Sequence, residues 1–224
     1  MSAFLEARSP TYGHWRLRVQ AVALALILAG APLRQADSRP LRLVALGDSL
    51  SAGLGLPPGQ AFPDRLQASL RAKGWDVDVV NAGVSGDTAR DGLARYDWAV
   101  PPGADALIVE FGANDMLRGL PPDATKKALS AILDKARAAR LAVLIAGMRA
   151  APNLGADYGR DFDPIYLALA KAYDADLYPF FLDSVAADPK LNQKDGLHPN
   201  ADGVNVIVDR MLPAVEVLLR RVKP

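Results

Sequence analysis

From Leu41 onward the sequence alternates short unbroken apolar runs with longer stretches in which apolar residues recur every three or four positions. A strand that is apolar at consecutive positions is buried on both faces, which is the environment of a parallel sheet covered by helices. A helical stretch after each such run makes a series of βα units. The runs Leu41–Leu46, Val77–Asn81, Ala106–Phe111, Leu141–Ala146 and Asp176–Tyr178 are the expected strands. Phe62–Lys73, Asp87–Tyr96, Asp123–Arg140, Pro164–Tyr173 and Ala201–Arg221 carry the helical spacing. In Asp123–Arg140, Ala128, Leu129, Ile132, Leu133 and Ala136 form one stripe opposite Lys126, Lys127, Lys135 and Arg137. The expected fold is a three-layer α/β/α sandwich around a mostly parallel five-stranded sheet.

The chain has 224 residues, enough for one domain with a sizeable core, and no internal repeat or low-complexity linker divides it. Its first 36 residues differ from the rest. Arg16 and Arg18 precede the apolar run Ala21–Ala31, and the polar stretch Arg34-Gln35-Ala36-Asp37-Ser38 follows, in the order of a secretory signal. A helix of that run is only about 20 Å long against a hydrocarbon core of about 30 Å, which favours a signal peptide over a spanning helix. Ala29-Gly30-Ala31 has the small residues of a cleavage site, but Pro32 follows and hinders cutting, so an uncleaved N-terminal anchor is the alternative. The expected organisation is residues 1–36 as signal or anchor and 37–224 as the folded domain, exported to the periplasm or beyond.

Composition removes several kinds of chemistry. There is no cysteine, which excludes disulfides, thiolate nucleophiles and Cys-based metal sites. Lys and Arg number 26 against 25 Asp and Glu, with no basic footprint for a nucleic acid. With no second histidine in the domain and no HExxH pattern, a metal site has little to build on. The segment Gly47–Gly59 fits neither glycine-rich phosphate-binding pattern.

In an open parallel sheet, ligands bind beyond the carboxyl ends of the strands. Ser49 lies there, after Leu41–Leu46 and the turn Gly47-Asp48, with small neighbours Ser51, Ala52 and Gly53. A serine on a strand-to-helix turn near unpaired N–H groups suits a nucleophile, and it equally suits an N-cap. A nucleophilic serine needs a base. Because His14 falls in the N-terminal segment, His198 is the imidazole available, and Asp195, three residues earlier, can orient it. Taken alone, Asp195-x-x-His198 also reads as a capped helix start beside a surface histidine. After Ala106–Phe111 comes Gly112-Ala113-Asn114-Asp115, where the Asn114 amide could donate to an oxyanion, and Gly86 offers a backbone N–H with no side chain in the way. Each also fits ordinary turn chemistry, and Asp48 and Asp115 read as loop braces.

Gly47-Asp48-Ser49-Leu50, Gly86, Gly112-x-Asn114-Asp115 and Asp195-x-x-His198-Pro199 together resemble the four ordered blocks of the GDSL or SGNH hydrolases, over Leu41 to about Leu218. Asn114-Asp115-Met116-Leu117-Arg118-Gly119 and Pro152-Asn153-Leu154-Gly155 are similar to the thioesterase I, lysophospholipase and arylesterase branch, which often has an aromatic where Leu154 stands. The resemblance implies the SGNH-hydrolase, flavodoxin-like sandwich and a cofactor-free, metal-free serine esterase. In it Ser49 attacks, His198 takes the proton, Asp195 orients His198, and the Ser49 and Gly86 N–H groups and the Asn114 amide bind the oxyanion. There is no G-x-S-x-G elbow of the α/β-hydrolase kind.

The expected substrate is a small carboxylic ester or thioester with an apolar acyl or aryl group. Leu54, Leu56, Met116, Leu117 and Leu154 are candidate pocket walls that could instead seal the core. A carbohydrate O-acetyl esterase with the same machinery, or a catalytically silent scaffold on the same fold, are the alternatives. No nucleic acid and no obligate protein partner is expected.

Overall fold

The computed structural model describes residues 39–222. The expected signal or anchor and its cleavage site therefore lie outside the described residues. Five strands, β1 (Leu41–Gly47), β2 (Val77–Gly83), β3 (Ala106–Glu110), β4 (Ala142–Ala146) and β5 (Asp176–Tyr178), form one sheet in the order β2-β1-β3-β4-β5. Every pairing is parallel, so the sheet is wholly rather than mostly so. β3 is buried at all five positions, and Leu43–Leu46 of β1 are fully buried, as unbroken apolar runs require.

Nine α-helices surround the sheet among the described residues. They are α1 (Ser49–Ala52), α2 (Phe62–Ala72), α3 (Ala89–Ala94), α4 (Tyr96–Ala99), α5 (Ala113–Leu117), α6 (Pro122–Ala138), α7 (Ala156–Phe162), α8 (Pro164–Tyr173) and α9 (Ala201–Arg221). α2 packs with α9, while α6 packs with α3, α7 and α8. The stripe read in the sequence is the buried face of α6: Ala128, Leu129, Ile132, Leu133 and Ala136. On α9 the same spacing buries Val204, Ile207, Val208, Met211, Val215 and Leu218. Each such side chain contributes about 1.5–3 kcal/mol when fully buried.

Some boundaries depart from the sequence expectation for local reasons. The helix expected over Asp87–Tyr96 begins at Ala89, behind a capping box of Thr88 and Asp91. It breaks at Arg95 (φ −100°, ψ 2°), whose guanidinium turns inward to the Gly47 carbonyl (2.8 Å) and Asp87 (2.5 Å). β3 stops one residue early because Gly112 adopts φ 122°, and a Cβ there would collide with the Tyr166 hydroxyl. Leu141 belongs to the end of the preceding turn, its N–H bonding the Ala136 carbonyl at 3.0 Å, so β4 starts at Ala142. α1, α5 and α7 span two turns or less and carry no periodic stripe to detect.

Strand order reverses between β1 and β3, and the loops that leave β1, β2 and β3 carry Ser49, Gly86 and Asn114. That is the crevice in which this kind of sheet binds ligands.

Candidate active site

Ser49 opens α1 as its first helical residue; the N-cap is Asp48, whose Oδ1 accepts the Leu50 N–H at 3.0 Å. The capping alternative for Ser49 therefore fails, and its hydroxyl is free for other work. Gly53, in the left-handed conformation at φ 81°, ends the helix after one turn. The alternative for Asp195 fails in the same way, since Asn200 caps α9 by accepting the Asp202 and Gly203 N–H groups, both at 3.0 Å.

The three side chains meet in one line. Ser49 Oγ lies 2.9 Å from His198 Nε2, and His198 Nδ1 lies 2.7 Å from Asp195 Oδ2. Asp195 Oδ1 accepts the Leu197 and His198 N–H groups at 2.9 and 3.0 Å. Those two backbone bonds, with the imidazole contact, bring the Asp195 carboxyl down to about 2. As an anion Asp195 only accepts, so Nδ1 carries the hydrogen and Nε2 is left as the acceptor facing the Ser49 hydroxyl. The loop bearing the pair is tied to the β1 loop by Gln193, whose Nε2 donates to the Leu54 and Pro199 carbonyls at 2.8 and 2.9 Å.

Asn114 sits in the first turn of α5 and joins the other loops. Its Nδ2 donates to Asp48 Oδ2 at 2.9 Å and to the Asp87 carbonyl at 3.0 Å. One amide thus bridges the residue before Ser49 and the residue after Gly86. Gly86 has φ 89°, and its N–H has no acceptor among the described residues; its carbonyl takes Arg118 at 2.6 Å. Asp115 braces its loop as expected, accepting the Ala89 N–H and the Thr125 hydroxyl, both at 2.9 Å.

The five expected pocket walls separate. Leu54 and Leu117 are exposed, 46% and 53%. Leu56 and Leu154 are half-buried against the core. Met116 is buried, and its sulfur accepts the Ala151 N–H at 3.0 Å, which links the loops that follow β3 and β4.

Sequence reading missed the group beneath Ser49. Glu110, the last residue of β3, is fully buried and accepts the Ser51 hydroxyl at 2.8 Å. Arg95, buried at 7% exposure, clamps Asp87 from behind. A charged residue within an otherwise apolar strand was the available signal for Glu110. Among the described residues no three His, Asp or Glu side chains gather as metal ligands would.

Comparison with known proteins shows the family. Residues 45–206 match the GDSL-like Lipase/Acylhydrolase family. "Esterase TesA" of Pseudomonas aeruginosa is 38% identical over 178 residues, 79% of this chain and 89% of that protein. "Thioesterase 1/protease 1/lysophospholipase L1" of Escherichia coli is 39% identical over 79% of this chain and 84% of its own. The crystal structure of AlinE4, an SGNH-hydrolase family esterase, is 45% identical and superposes with a TM-score of 0.69 over 81% of this chain and 98% of that one. Fold and relatives together define an α/β/α hydrolase of ester bonds. The chain belongs to the GDSL-like lipase/acylhydrolase family.

Proposed function

We propose that this chain cleaves carboxylic esters or thioesters with apolar acyl or aryl groups through an acyl-enzyme on Ser49. The observation that carries the reading is the Ser49–His198–Asp195 line, with contacts of 2.9 and 2.7 Å. Ser49 Oγ attacks the carbonyl carbon while its proton passes to His198 Nε2, and the imidazolium that forms is stabilised by the Asp195 anion. The tetrahedral oxyanion takes hydrogen bonds from the Ser49 and Gly86 N–H groups and from Asn114 once its amide exchanges an acceptor. His198 then protonates the leaving alkoxide or thiolate, and the C–O or C–S bond breaks to leave the Ser49 ester. Water, deprotonated by His198, attacks that ester; the acid departs and Ser49 Oγ recovers its proton.

Leu54 and Leu117, exposed beside these loops, are the side chains that an apolar acyl group would cover. The order of Arg16, Arg18 and the apolar run Ala21–Ala31 supports an exported enzyme, with an uncleaved N-terminal anchor as the alternative to a cleaved signal.

Hydrolysis of p-nitrophenyl acetate, butyrate and octanoate by the full chain, beside Ser49→Ala, tests the reading. Wild-type turnover with a loss of several orders of magnitude in the variant is expected, and equal activity in both would remove Ser49 as nucleophile. Equal rates on acetyl and octanoyl esters would remove the apolar acyl contact.

A further inference from the structure

Beneath Ser49 the fold buries two carboxyl groups that the reaction just described does not use. Asp48, fully buried, divides its carboxylate between the Leu50 N–H at 3.0 Å and the Asn114 amide at 2.9 Å. Glu110 lies directly across from Gly47 in the β1–β3 register. Its Oε2 accepts the Ser51 hydroxyl at 2.8 Å and the Asp48 N–H at 3.3 Å, while Oε1 is buried without a partner. The glycine at 47 is what admits it, since a Cβ there would stand 2.6 Å from Oε2.

We propose that Asp48 is a positioning residue of the oxyanion site, its carboxylate anchoring the Asn114 amide, while Glu110 works as a neutral acid that ties the Asp48–Ser51 turn to β3. This rests on the reading of Asn114 as an oxyanion donor.

Charge and geometry assign the two states. Arg95 is the cation packed nearest this layer; its Nε and Nη2 go to Asp87 at 2.5 Å and the Gly47 carbonyl at 2.8 Å, its Nη1 is buried without a partner, and none of the three reaches Asp48 or Glu110. Neither Asp48 nor Glu110 forms an ion pair among the described residues. The other charges facing them are Asp115 on α5, which raises the Asp48 carboxyl, and His198 across the crevice, which lowers it. Two uncompensated carboxylates in one buried layer cannot both ionise cheaply, so one keeps its proton. Glu110 is the one that keeps it: burial first, then the Asp48 charge, pushes it well above its ordinary range, while burial brings Asp48 only to about 6. With Oε2 accepting two hydrogen bonds, the Glu110 proton sits on Oε1.

Anchoring explains how Asn114 can serve with both amide hydrogens engaged. Its bond to the Asp48 anion is charge-assisted and is the stronger of the two. The bond to the neutral Asp87 carbonyl is the one exchanged for the oxyanion, and the amide turns about a fixed point.

The test is kcat and KM against pH on p-nitrophenyl butyrate for the full chain and for Asp48→Asn, Glu110→Gln and Asn114→Ala. Asn114→Ala is the reference: a kcat loss of about 100–1000-fold is expected, and an unchanged kcat there would refute the oxyanion reading itself. Asp48→Asn keeps the shape and removes the charge. It should lower kcat by about 10–100-fold with KM within about twofold, and add nothing to Asn114→Ala. Glu110→Gln should keep the wild-type kcat and pH profile. The wild-type kcat should fall as pH drops through about 6, where the Asp48 anion that anchors Asn114 takes a proton, and Asp48→Asn should lack that step. Wild-type kcat in Asp48→Asn beside an impaired Asn114→Ala overturns the positioning role, as does additivity of the two. A loss in Glu110→Gln as deep as in Asp48→Asn overturns the neutral-acid role. A wild-type kcat with no step near pH 6 overturns the anchoring role even if Asp48→Asn does not fold.

Discussion

Asp195→Asn is the substitution whose outcome depends most directly on the direction of the hydrogen bonds around His198. Asparagine can still accept the Leu197 and His198 N–H groups through Oδ1, so the loop bonds at 2.9 and 3.0 Å survive. At the 2.7 Å contact, however, the amide presents a donor to His198 Nδ1. The imidazole must then accept at Nδ1 and carry its hydrogen on Nε2, where it can no longer take the proton of Ser49. A wrong tautomer in a serine hydrolase triad costs up to about 10⁴-fold in kcat. The Asp195 side chain is 44% exposed, so part of its electrostatic help to the imidazolium is screened by water. The expected loss is therefore nearer 10³-fold, about 4 kcal/mol. The assay is steady-state hydrolysis of p-nitrophenyl butyrate at pH 8, with a thermal melt as control. A loss below about tenfold with unchanged Tm would refute the tautomer argument, because orientation by Asp195 could not then be setting the rate.

Further expectations concern stability. Glu110 is held protonated when folded but ionises above its ordinary 4.5 when unfolded, so its contribution is fully present below that pH and is lost as pH rises. The Tm of wild type should fall from about pH 4 toward pH 8, and that of Glu110→Gln should fall less; equal slopes would contradict a buried neutral acid. Asp195 has the opposite sign, since its lowered carboxyl favours the fold above 3.8 and that help fades as pH drops toward 2. Phe62, fully buried at the start of α2 and edge-on to Phe181 at 5.1 Å, should cost about 3–5 kcal/mol as Phe62→Ala in urea unfolding. A cost under about 1 kcal/mol would mean that the cavity collapses.

How far the sequence reveals this fold depends on where each signal is written. Strands such as Ala106–Glu110 and long helices such as Pro122–Ala138 declare themselves, because burial on both faces, or on one stripe, leaves a periodic pattern. Breaks in helices follow instead from distant partners. Arg95 leaves the helical path because its guanidinium finds Asp87 and the Gly47 carbonyl, and the latter lies 48 positions earlier in the chain. No local window contains that information.

The candidate site divides along the same line. Ser49, Asp195 and His198 can be found in the sequence because residue type and the scarcity of imidazole restrict the choices before any contact is known. The competing capping readings were equally well written in the sequence, and only the neighbours decided between them: Asp48 and Asn200 do the capping. Asn114 and Glu110 are the harder case. The amide of Asn114 gains its place from acceptors on the two loops that leave β1 and β2, both on the same side of β3 in the sheet, and Glu110 gains its place from a glycine on the adjacent strand. A lone acid closing an apolar strand is a costly choice unless its surroundings keep it neutral or bonded. That cost makes Glu110 a position where sequence alone raises the right question, and the layer under Ser49 supplies the answer.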